Sequence, residues 1–157
     1  MTDHIRELTE LLLSKDHNAA YQALKELQEI SEDKNAVYAY MDLFTGMIES
    51  GNSYIRTRGL LMIASNAKWD VDNQIDEVID SYLRHITDVK PITARQCIKA
   101  LPQIAWDKPE LKADIIAALK HADSSRYADS MRPLVMKDIR EAIEIIAGID
   151  STISSTK

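Results

Sequence analysis

A fixed interval of 37 residues separates Arg58, Arg95 and Arg132. At the same interval Trp69-Asp70 is followed by Trp106-Asp107, Asp33 by Asp70 and Asp107, and Leu24 by Leu61, Ile98 and Val135. A period of this length marks a repeat architecture, because one supersecondary unit cannot bury its apolar face alone and stacks on its neighbours. Composition says what the unit is made of. The 157 residues include only four Gly and four Pro, too few for the tight turns of an all-β protein. Leu, Ile, Ala, Glu and Lys are abundant, and these residues favour helices. The chain is therefore expected to be all-α.

Apolar spacing predicts eight helices, over about 3–14, 17–31, 34–49, 53–67, 71–86, from Pro91 onward, 108–120 and 126–147. Residues 71–86 carry the plainest amphipathic stripe, with Ile75, Val78, Ile79, Tyr82, Leu83 and Ile86. The aspartate series falls before helices. Asp107-Lys108-Pro109-Glu110 reads as a capping box with Asp in place of Ser or Thr, and Asp33 and Asp70 stand at the same point before their own helices. Pro102 and Pro133 fall inside expected helices, where each would remove a hydrogen bond and bend the axis. Residues 1–150 are expected to form one domain, with a mobile tail over 151–157.

Charge narrows the range of partners. The net charge is −6, and residues 1–50 carry all of it, with 4 Lys and Arg against 10 Asp and Glu. Proteins that bind duplex nucleic acid gain affinity by neutralising phosphates and usually carry a basic excess. This balance argues against nucleic acid as the partner. One cysteine, Cys97, allows no internal disulfide. No apolar run approaches a membrane span, and the polar start lacks a signal-peptide pattern. The expectation is a cytoplasmic protein with no membrane partner.

The best local match to a known pattern is Asn52-Ser53-Tyr54-Ile55-Arg56, leading into Gly59-Leu60-Leu61-Met62-Ile63-Ala64. A polar turn before an Ile-Arg pair that opens an apolar helix resembles the HEAT repeat, a relative of the armadillo solenoids. The resemblance covers roughly residues 17–147. It implies a right-handed superhelix of about four helical hairpins, whose second helices line a concave surface. Families of this kind are mostly scaffolds that bind proteins or peptides.

The candidate binding residues follow from that arrangement. Arg58, Arg95 and Arg132 would lie at one repeat position, where guanidinium groups suit carboxylates or phosphates. The alternative for each is an ion pair with a neighbouring helix. Arg56 and Lys99 are possible additions to the same groove. Trp69 and Trp106 either cover a turn, with the indole N–H on a carbonyl, or serve as aromatic platforms. Tyr38 and Tyr40 belong to an aromatic and Met-rich segment, and one of them is expected at the surface. Four scattered histidines and one cysteine suggest no metal site, and no motif suggests a catalytic residue or a cofactor. Cys97 reads as a small core residue.

The expected function is a non-enzymatic scaffold that binds an acidic peptide, a protein loop or a phosphorylated group. Two alternatives stand beside it. The Trp-Asp pairing also resembles the HEAT-like alkylpurine DNA glycosylases, although capping accounts for the aspartates and the basic excess is missing. A structural subunit that self-associates through an apolar face is the other.

Overall fold

A computed structural model describes residues 2–149. Among the described residues there are helices and no strands. The α-helices are α1 (Thr2–Leu11), α2 (His17–Asp33), α3 (Met41–Met47), α4 (Ser53–Ser65), α5 (Gln74–Leu83), α6 (Pro91–Asp107), α7 (Lys112–Lys120) and α8 (Arg132–Thr156). Short 3-10 turns occupy Ala36–Tyr40, Ala67–Trp69, Arg84–Thr87 and Pro109–Leu111. The tail expected over 151–157 lies outside the described residues. The chain packs as two compact units, Met1–Ile75 and Asp76–Lys157, with the division inside α5.

In the first unit α1 packs on α2, α2 on α4, and α3 on α4. The core is built from Ile5, Leu12, Leu27, Phe44, Met62 and Ile63, all buried. Gly59 sets the distance between α3 and α4. A Cβ there would lie 2.8 Å from the Met47 Cβ and 3.0 Å from the Phe44 carbonyl oxygen. No larger residue fits that approach without moving α3.

The second unit is centred on α6, which packs on α7 and α8. Ala94, Cys97, Ile98, Leu101 and Ile104 form its buried face. Cys97 is a core residue, with its sulfur 3.7 Å from the Tyr82 carbonyl oxygen, and burial raises its thiol well above the ordinary value. Tyr127 ties the loop before α8 to the loop before α6, because its hydroxyl donates to the Asp88 carbonyl at 2.5 Å.

The aspartate series does not behave as a series. Asp70 caps α5, accepting from the Gln74 and Ile75 N–H groups at 2.9 and 3.0 Å. Asp33 and Asp107 are instead the last residues of α2 and α6. Asp107 accepts from the Gln103 side chain at 2.6 Å, four residues back. The reason is local: α2 and α6 each run one turn further than α4, so the same sequence position ends a helix instead of opening one. The caps lie elsewhere. Asp16 accepts from the Asn18 and Ala19 N–H groups, and Asn52 from those of Tyr54 and Ile55.

Pro133 also departs from expectation. The helix expected from 126 begins at Arg132, so Pro133 stands in its first turn, where a missing N–H costs nothing. Pro102 is inside α6 as expected, and that helix continues through it to Asp107.

Candidate functional site

Each arginine of the 37-residue series is held within its own unit, in a different way. Arg58, on α4, is only 6% exposed. Its Nη1 donates to the Leu12 carbonyl at 2.8 Å and lies 3.4 Å from that of Ser14. Its Nη2 lies 3.2 Å from the Nδ1 of His17. These acceptors form the corner between α1 and α2, where carbonyls leave the helical ladder and need a donor. Burial lowers the guanidinium below its ordinary pKa. The His17 ring packs against Tyr54 with centroids 4.1 Å apart. Arg58 is thus a clasp for a helix corner.

Arg95, on α6, faces a carboxylate on α8. Its Nε is 2.6 Å from one Asp138 oxygen and its Nη2 3.5 Å from the other. That hydrogen bond raises the guanidinium above its ordinary value. Arg132 donates to the Tyr127 carbonyl at 3.0 Å and pairs with Asp129 three residues before it. Arg56 is buried and donates to the Ser50 carbonyl at 3.1 Å. Lys99 is exposed on α6.

The aromatic candidates divide as well. Trp69 is half-buried, and its indole N–H donates to the Ser31 carbonyl at 2.7 Å. The Tyr38 hydroxyl donates to Asp70 at 2.6 Å and accepts from Gln74, and burial, then this carboxylate, raises its pKa. Tyr38 and Tyr40 are both half-buried. Tyr21 and Tyr54 are the more exposed tyrosines. Trp106 is 51% exposed, unlike its sequence counterpart.

The sequence-predicted residues that come together are Arg95, Lys99 and Trp106. All three lie on α6, and Ile92, 67% exposed, joins them. The positions 92, 95, 99, 103 and 106 recur every three or four residues and so share one face of the helix. From Ile92 to Trp106 this face is about 21 Å long. It carries Arg95, Lys99 and Gln103 between two large apolar ends. The helix has no carboxylate before Asp107, its last residue.

A second feature of this unit is a cleft of about 540 Å³, lined by Leu83, Ile86, Ala118, His121 and Arg126 among others. Its polar groups are directed at the chain itself. Arg126 donates to the Thr87 carbonyl, the Nδ1 of His121 meets the Ala117 carbonyl, and Asp123 accepts from the Ser125 N–H.

Among the described residues no three His, Cys, Asp or Glu side chains converge as metal ligands would. Nor is any helix among them long and apolar enough to cross a membrane. Ile92 was missed by the sequence reading, which treated apolar residues as core. The signal was available: on the α6 face it falls out of phase with Cys97, Ile98 and Leu101. Comparison with known proteins finds no matching family model, no similar curated protein and no similar solved structure.

Proposed function

We propose that this protein is an interaction module that takes up an acidic segment of a protein partner along the outer face of α6. The observation that carries the reading is the half-exposed Trp106, on one helical face with Ile92, Arg95 and Lys99. Aromatic residues and arginine are the side chains enriched where proteins meet, and Trp is prominent among those that carry binding energy. Lys99 supplies positive charge, which selects for carboxylates and against other cations, and Arg95 adds donors although Asp138 balances its charge. The pairing of Arg95 with Asp138 fixes the guanidinium in place, so less side-chain freedom is lost on binding.

Arg58 and Arg56 have no part in this surface, because both are buried against backbone carbonyls. HEAT-like helical hairpins, arranged as a right-handed superhelix, belong to the same proposal. The 37-residue recurrence and the helix pairing within each unit support them.

A photo-crosslinking residue placed at position 103, which leaves Lys99 and Arg95 intact, tests the reading, with one at Lys120 on α7 as control. The expected outcome is capture from position 103 of peptide segments rich in Asp and Glu, reduced by Trp106→Ala. Equal capture from both positions, with no acidic bias, would overturn it.

A further inference from the structure

The repeat allows a direct comparison of two faces. Residues 58, 62, 66 and 69 of the α4 repeat stand in the same register as 95, 99, 103 and 106 of the α6 repeat. In the first unit this face is covered. Arg58, Met62 and Asn66 are buried, and the cover is α2 with the corner that precedes it. The contacts concentrate on the last turn of α2. Trp69 donates to the Ser31 carbonyl, Asn66 donates to the Ser31 hydroxyl at 3.3 Å, and Lys68 donates to the Glu32 carbonyl at 3.0 Å.

The two carbonyl acceptors have a common origin. The last four carbonyls of a helix have no intrahelical partner, and the helix dipole adds negative charge there. A Trp indole N–H and a lysine are suitable donors for that end. The covering helix is itself acidic: His17–Asp33 contains Glu26, Glu29, Glu32 and Asp33 against a single Lys25.

The same face of α6 is open at both ends, and in the middle it carries the exposed Lys99 beside Arg95, whose charge is balanced by Asp138. We infer that the acidic segment taken up by α6 is an α-helix of the α2 kind, docked with its last turn at Trp106. The indole N–H of Trp106 donates to a last-turn carbonyl of the partner, as Trp69 does to Ser31. Acidic side chains further along the partner helix face Lys99 and Arg95, and an apolar residue covers Ile92. This deepens the proposed function and rests on it. It adds the partner's conformation and its direction along α6.

The test uses the full chain labelled with ¹⁵N and two synthetic peptides with amidated ends. One has the sequence of His17–Asp33. The other carries Leu24→Pro, which keeps the charge and breaks the helix. The indole N–H signals of Trp69 and Trp106 are assigned with Trp106→Phe. The expected result is a saturable shift of the Trp106 signal with the first peptide and none with the second. Lys99→Glu should weaken the binding about tenfold or more.

Equal shifts with both peptides would overturn the helix and leave the acidic-segment reading standing. A shift confined to Trp69 would mean exchange with the chain's own α2 and would also overturn the inference. If neither peptide binds while position 103 still crosslinks acidic segments, the helix inference alone fails. If both experiments are blank, the proposed function fails with it.

Discussion

At the residue scale, one repeated side chain serves three purposes. Arg58 supplies donors to two carbonyls of a helix corner, Arg95 pairs with a carboxylate on α8, and Arg132 holds its own helix start. Their costs of removal should differ accordingly. Arg58→Leu leaves the buried Leu12 carbonyl and the part-buried Ser14 carbonyl without that donor, and should cost about 2–3 kcal/mol. Arg132→Leu removes a guanidinium that is more than a third exposed, and should cost no more than about 1 kcal/mol. Arg95→Leu should fall between them, because Asp138 is buried and loses its counter-charge. Urea unfolding of the three variants gives the order. Equal losses would mean that their contacts are interchangeable. The sequence showed the interval but not these roles, because Leu12 and Asp138 lie more than 40 residues from their arginines.

At the element scale, the fold was legible wherever a signal was local. Helix positions followed from apolar spacing, and Asp70 was found as a cap because the N–H groups that donate to it lie within five residues. Asp33 and Asp107 were misread because a cap depends on where the preceding helix ends. The residues Asp107-Lys108-Pro109-Glu110 look like a helix start, yet α6 runs through Asp107. Asp70→Ala should therefore cost about 1–2 kcal/mol and Asp107→Ala no more than about 0.5 kcal/mol, as read by thermal unfolding. The α3–α4 contact was not legible at all, since nothing near Gly59 announces what faces it. Gly59→Ala should destabilise by about 1–3 kcal/mol despite the better helix propensity of alanine, because its Cβ meets Met47 and the Phe44 carbonyl. A stabilised variant would show that α3 yields easily. The candidate site was half legible: Lys99 and Trp106 came from the sequence, whereas Ile92 passed for a core residue although its phase on α6 sets it apart from Cys97, Ile98 and Leu101.

At the scale of the whole molecule, buried phenols set the response to alkali. Burial raises Tyr82 well above its ordinary value, raises Tyr38, and pushes Tyr127 up to about 12 from 10.0. Unfolding exposes these phenols and returns them to their ordinary ionisation. The stability they lend is therefore complete below pH 10 and is lost as pH rises through the folded values. Tyr127→Phe should lower stability at pH 7 by about 1 kcal/mol, through the lost bond to Asp88. The same variant should decline less steeply between pH 10 and pH 12. Unfolding followed by circular dichroism across that range checks both effects. A wild type whose stability is flat to pH 12 would show that the phenols open without unfolding.

Lys108 has a use at the bench. The residue is only 4% exposed, and its ammonium lies 2.6 Å from Asp76 and 3.4 Å from Glu110. A charged, enclosed amine is a poor nucleophile toward acylating reagents, while Lys99, nine residues earlier, stands in solvent. The two form a built-in pair for chemical footprinting. In the folded protein an activated ester should modify Lys99 readily and Lys108 slowly, and mass spectrometry of the two peptides reads the ratio. Labelling of Lys108 then reports that the second unit has opened, and protection of Lys99 reports that α6 is occupied.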